Sequence, residues 1–272
     1  MDKLWIVILI GYAVCVAESI FTLTNRRPVM RKVMWASLAV SFTAHTIWLL
    51  ARGIEAKRYP LVGTEETSAY LSWCLVVSYL VASLWYNATA LGSFIFPIIL
   101  ALSTIAAVTP ESLIVPEGID QPLQRILFPV HAGLILLAYS AFFIAFGAGV
   151  MYMIQERELR LKRFSAIFFR LPSLDTCDAI SSKAMAIGFV LFTFGIAAGL
   201  GWQRARDGQY WHGDPIEIFS LFTWLIYLFL VQSRISVKWG GRTAALASIV
   251  SFMIVIFSLV GVRYLGNLHV FS

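Results

Sequence analysis

The sequence predicts an all-α polytopic membrane protein with eight transmembrane helices and both termini outside. Three observations predict it. Hydrophobic residues make up 59% of the 272-residue chain and charged ones only 13%, with a mean hydropathy of +0.79. A soluble domain carries about a quarter charged residues. Apolar stretches of bilayer length recur along the whole chain, and the basic residues gather between them. No polar block is long enough for a soluble domain, so a single transmembrane helical bundle over 1–272 is expected.

A hydrocarbon core of ~30 Å needs roughly 20 apolar residues per helix. On that criterion the spans are 4–23, 33–51, 68–86, 89–108, 128–154, 184–201, 216–231 and 243–265. The first lacks a small-residue cleavage site and is expected to be a retained span. An even number puts both termini on one side, and loop charge says which. One set of loops, with 155–183 as its longest member, holds thirteen Lys and Arg; the other set, with the termini, holds eight. The positive-inside rule therefore places the termini and the 202–217 loop on the extracytoplasmic side of the cell membrane.

The net charge of +6 belongs to these cytoplasmic loops and the anionic lipid surface rather than to nucleic acid. In 155–183, Phe164, Ile167, Phe168 and Phe169 alternate with Lys162, Arg163 and Arg170. Two readings stand, a helix lying among the headgroups and a solvated basic linker. Either could receive a cytoplasmic partner. The outer segment 109–125, with Pro110, Pro116, Gly118 and Pro122, reads as an irregular loop. Cys15, Cys74 and Cys177 form no Cys-x-x-Cys pair, which speaks against thiol exchange.

The four histidines are His45, His131, His212 and His269, and all fall in the outer half or beyond. His45 is about twelve residues into an outward-running helix, hence ~18 Å up at 1.5 Å per residue. His131 opens the fifth span and His269 follows the eighth. Ionisable groups at membrane depth are costly and usually functional, and neutral imidazole is a common iron ligand. An internal hydrogen bond is the plain reading for any one of them. Four on one side, two bracketing an aromatic loop, favour ligation. No pair has the i, i+3 or i, i+4 spacing of a zinc site.

That loop, 202–217, presents Trp202, Tyr210 and Trp211 as an aromatic surface. It ends in Asp214-Pro215-Ile216-Glu217, a helix start with Asp as N-cap, Pro at N1 and Glu at N3. The chain has no nucleophile–base pair, phosphate loop or carboxylate dyad, and so no self-contained active site. Broken helices and paired repeats, the marks of many transporters, are not visible either.

In this order the features resemble the cytochrome c assembly membrane proteins, most nearly the CcsA/ResC type of the system II synthetase, with HemX-like members as a divergent branch. The residues that carry the resemblance are Pro60-Leu61, Glu66 and Trp73; Leu171-Pro172-Ser173-Leu174-Asp175-Thr176; Gly188-Phe189 and Gly195-Ile196; Gly208, Tyr210-Trp211, Asp214-Pro215 and Glu217; Thr223-Trp224-Leu225; and Gly261-Val262 with Leu268-His269. The resemblance implies heme b on the external loop, ligated by His131 and His269, over a platform of Trp202, Tyr210, Trp211 and Asp214. It implies a second heme site within the membrane at His45. It also implies apocytochrome c and a partner subunit with an external domain as partners. The chain departs from the pattern at Asp207 and Gly213, where the family has tryptophans, at Ile216 in place of lysine, and at Gln232 in place of the second membrane histidine. His212 is additional: ligation, a hydrogen bond to a heme propionate and simple exposure to water are its three readings, and the last is the one expected. The alternative function is a non-catalytic membrane scaffold that regulates a partner in heme biosynthesis or cytochrome assembly through 155–183.

Overall fold

The structure, a computed structural model, describes residues 2–24, 28–86, 89–110, 122–162 and 168–268. Eight helices account for nearly all of them: α1 (Asp2–Thr24), α2 (Pro28–Ala56), α3 (Gly63–Trp85), α4 (Thr89–Val108), α5 (Pro122–Arg160), α6 (Leu174–Asp207), α7 (Pro215–Ser236) and α8 (Gly241–Leu268). A backbone in hydrocarbon must satisfy its own N–H and C=O groups, and a helix does so locally. The first seven are long and apolar enough to cross a membrane, and α8 has a shorter apolar part, Gly241–Phe257, among its described side chains. The protein is an all-α polytopic membrane protein, as expected.

Most helices run past the apolar stretch that announces them, whereas α4 coincides with the expected 89–108. Hydropathy marks only the lipid-facing part, whereas hydrogen bonding carries the helix on until a stop signal. The 39-residue α5 would be ~58 Å long at 1.5 Å per residue, well beyond a ~30 Å hydrocarbon core. Its last turns occupy the start of the expected basic loop. The headgroup helix expected in that loop falls largely on 163–167, outside the described residues. The irregular 109–125 loop also lies mostly outside them.

The chain divides into two compact units. One comprises Met1–Glu117 with Ile154–Ser173, the other Gly118–Met153 with Leu174–Ser272. In the first, α1 packs on α2 and α4, and α3 on α4 and α2. The helices touch closely at Gly11, where a Cβ would lie 1.7 Å from the Ser41 Oγ. Tyr79 meets Phe96 edge-on at 4.8 Å and Trp5 tilts on Trp48 at 4.7 Å. Hydrogen bonds cross between helices from Trp73 Nε1 to Thr46 Oγ1 (2.9 Å) and from Ser93 Oγ to the Ser19 carbonyl (3.0 Å). Small residues and hydroxyls take this part because lipid provides no hydrophobic drive between helices.

The segment joining α2 to α3 is held by charge. Glu66, only 1% exposed, accepts from Arg52 Nε at 3.1 Å, Arg58 Nη1 at 2.6 Å and the Val62 N–H at 2.8 Å. Glu65 adds a longer contact to Arg52 at 3.8 Å. Arg52, just past the expected 33–51 span, is buried in this network.

In the second unit α6 packs on α7 and α8, and α7 on α8. The core gathers Ala138, Phe142, Met185, Phe192, Tyr227 and Phe252. Phe142 stacks on Tyr227 at 3.6 Å. Polar bridges join Ser181 to Ser248 (2.8 Å) and Arg234 to Asp178 (2.7 Å).

The Glu66 network generates a stability prediction. Glu66→Ala removes the shared acceptor of two arginines and a backbone N–H, and should cost about 3 kcal/mol. Thermal unfolding in detergent would show a drop of several degrees, with Glu66→Gln intermediate.

Candidate functional site

The candidate site begins where α5 and α6 lie antiparallel. Gly188 of α6 faces Ala138 and Phe142, Gly195 faces Ile135, and Gly199 faces His131. These α5 positions are spaced as one helix face requires. His131 Nδ1 lies 2.7 Å from the Gly195 carbonyl oxygen. A carbonyl only accepts, so Nδ1 carries the proton, and in the neutral ring Nε2 keeps its lone pair. This tautomer is the one an iron ligand needs.

One turn further along both helices, Phe128 of α5 and Trp202 of α6 meet at 5.3 Å. The Arg206 guanidinium lies over the Trp202 ring at 4.9 Å. Trp202 Nε1 is buried and has no hydrogen-bond partner among the described residues. An orphaned buried N–H is rare and costly. Here it stands as a free donor at the edge of the aromatic loop.

The loop itself is short because both its ends are strongly signalled. Gly208, at φ +84°, stops α6, and its N–H donates to the Arg204 carbonyl at 3.1 Å. The Arg204 guanidinium donates in turn to the Gly208 carbonyl and lies over the Tyr210 ring at 5.3 Å. Asp214 starts α7, its Oδ1 accepting from the Glu217 N–H at 2.8 Å, with Pro215 following. The expected helix start is therefore present. Tyr210 and Trp211 project from the loop, 58% and 45% exposed.

Glu217 holds the loop together, a role its place in the helix-start motif did not reveal. Buried at the first turn of α7, its carboxylate accepts from the His212 N–H (2.8 Å), the Gly213 N–H (2.7 Å) and Gln203 Nε2 (2.6 Å). In a capping box the N3 glutamate reaches back to the N-cap N–H. Here it reaches one and two residues further and ties α6 to the loop through Gln203. Gly213 sits at φ +74°, a conformation that a tryptophan would resist. The family's aromatic residue is thus absent where this backbone needs glycine.

His212 is exposed, as expected, and its ring also places Nε2 3.0 Å from Asp207 Oδ2 and Nδ1 3.3 Å from Glu217 Oε1. Two carboxylates, one at each end of the loop, draw the ring between them. Asp207 is itself engaged by Arg206 at 2.9 Å and by the Gln209 N–H at 3.1 Å.

The other candidate ligands fall elsewhere in the chain. His45 belongs to the first unit and is fully buried, with the Tyr12 hydroxyl 3.1 Å from Nδ1 and no partner at Nε2 among the described residues. Gln232, at the position of the family's second membrane histidine, is exposed and donates to Ser236 Oγ at 2.7 Å. His269 lies outside the described residues. The structure thus places Tyr210, Trp211 and Asp214 in the loop between α6 and α7 and Trp202 in the last turns of α6, with His131 packed on α6 one turn before Trp202.

Chemically, this is a neutral imidazole with a lone pair at Nε2, one turn along the two helices from the Phe128–Trp202 contact, the Arg206 guanidinium over Trp202 and the unpartnered Trp202 N–H. Such a set suits a flat, largely apolar metal complex with acidic substituents, and the residues fit a heme. The family model described as cytochrome C assembly protein matches residues 61–269. The chain is similar to the cytochrome c biogenesis protein CcsA of Guillardia theta, 28% identical over 238 residues, which cover 82% of this chain and 79% of that one. It is similar to the CcsA of Prochlorococcus marinus (strain AS9601), 26% identical over 245 residues (82% and 79% covered). A third, the CcsA of Synechococcus elongatus, is 25% identical over 274 residues (85% and 84% covered). With more than half its length under the family model, from just after the α2 helix to the end of α8, the chain belongs to the cytochrome c assembly protein family.

Proposed function

We propose that this protein acts in cytochrome c biogenesis by holding heme b at the extracytoplasmic membrane face and presenting it for attachment to apocytochrome c. His131 would hold the heme iron through Nε2, with His269 as the second ligand. Trp202, Tyr210 and Trp211 form the apolar platform, and Asp214 starts the helix on which the loop is mounted. The observation that carries this reading is the His131 ring, bonded at Nδ1 to the Gly195 carbonyl (2.7 Å) and so left with a lone pair at Nε2. Membership of the family supports heme as the ligand.

When bound, the heme supplies the iron and the vinyl groups on which thioether chemistry depends, and the protein supplies ligation, orientation and shielding from water. An apocytochrome and a partner subunit with an external domain would complete the reaction. His45, with an unpartnered Nε2, is a candidate second site within the membrane. The loop charges set the orientation of this reading, with both termini and the aromatic loop outside.

Protein purified from heme-replete cells should show the absorption spectrum of six-coordinate low-spin heme, and His131→Ala should abolish it or convert it to high spin. Heme-free protein from such cells, unaffected by that substitution, would overturn the proposal. Glu217→Ala should leave the loop N–H groups of His212 and Gly213 and the Gln203 side-chain amide without their common acceptor. We expect heme to dissociate faster from this variant and protease to cleave the loop sooner, while Glu217→Gln, which keeps an acceptor oxygen, falls between.

A further inference from the structure

We infer that Gly195 and Gly199 of α6 are positioning residues for His131, forming a seat that sets both its tautomer and its ring plane. The inference deepens the heme reading and rests on it for the identity of the ligand. The seat itself stands on geometry alone.

The contact is made from two directions. Gly195 offers its carbonyl to Nδ1 at 2.7 Å. One turn on, a Cβ built on Gly199 would lie 2.6 Å from Nδ1, 2.8 Å from Cε1 and 3.3 Å from Cγ. Three ring atoms on one edge therefore rest against the Gly199 backbone, where any side chain would occupy the ring's place. A carbonyl one turn below and bare backbone beside it leave the ring one orientation. In that orientation Nδ1 holds the proton and the lone pair sits on Nε2.

The other glycines of α6 show that this is more than close helix packing. Gly188 admits the Phe142 ring, and its added Cβ would lie 2.6 Å from two carbon atoms of that ring. At Gly201 the nearest neighbour is a Leu127 methyl at 3.5 Å, an ordinary contact. At Gly199, by contrast, the helix receives a polar ring, and the carbonyl of Gly195, whose own Cβ position faces Ile135, bonds one of its nitrogens. Partners that orient a ligating histidine typically change metal affinity 10–100-fold when lost.

The test uses the full chain in detergent, labelled with ¹⁵N-histidine, with the His131 signals assigned by their loss in His131→Gln. The nitrogen shifts distinguish a protonated Nδ1 with bare Nε2 from the opposite tautomer. Wild-type protein should show protonated Nδ1. Gly199→Ala should lose that signature and weaken hemin binding by about 10–100-fold, whereas Gly201→Ala should keep both. Protonated Nε2 in the wild-type protein would overturn the seat without recourse to any variant. So would a Gly199→Ala protein that keeps the Nδ1–H signature. Wild-type protein that shows the signature but takes up no hemin would overturn the heme reading and leave the seat standing.

Discussion

Lipid is a solvent that can satisfy no hydrogen bond, and most of the architecture follows from that constraint. The backbone closes its bonds within helices. Each polar side chain below the surface must then find a protein partner or remain unpaired at a cost. Trp73 finds Thr46, Ser181 finds Ser248, and Arg234 finds Asp178. Glu66 gathers two arginines and a backbone N–H at the α2–α3 connection. The rule has exceptions: His45 Nε2 and Trp202 Nε1 are buried without partners among the described residues, as are Ser41 Oγ and Trp48 Nε1.

The same constraint explains why the candidate site is built from glycine as much as from histidine. Between helices in lipid, attraction comes from close packing rather than from the expulsion of water. Gly188, Gly195 and Gly199 let α5 approach α6 closely enough for a ring and a carbonyl to meet. The loop that follows is mounted with similar economy. A left-handed glycine ends one helix, an Asp-Pro pair begins the next, and one buried carboxylate, Glu217, gathers the loop N–H groups between them. Two aromatic side chains, Tyr210 and Trp211, remain outside that arrangement and face outward.

Several departures from the family's pattern also acquire physical reasons. Gly213 stands where the backbone adopts a positive φ and donates to Glu217, which an aromatic residue would do at a strain cost. Asp207, in place of another tryptophan, pairs with Arg206 and His212. The substitutions exchange part of an aromatic surface for a charged clasp across the loop. Gln232 is exposed and bonded within its own helix turn.

The sequence by itself determined the fold class, the number of helices and the approximate place of each, because hydrophobicity in lipid is a property of residues summed along the chain. It also determined the start of α7, since capping is a local event read from four adjacent residues. The aromatic loop and His131 were legible as candidates from residue type and spacing. Tertiary structure alone decided what those candidates touch. That Gly195 supplies the carbonyl for His131, that Gln203 reaches Glu217, and that His212 lies between two carboxylates depends on how α5, α6 and α7 pack. Such contacts join residues as many as 64 positions apart. Helix ends beyond the apolar stretches were likewise hidden, because a helix is stopped by its hydrogen-bonding termini and not by the edge of the bilayer.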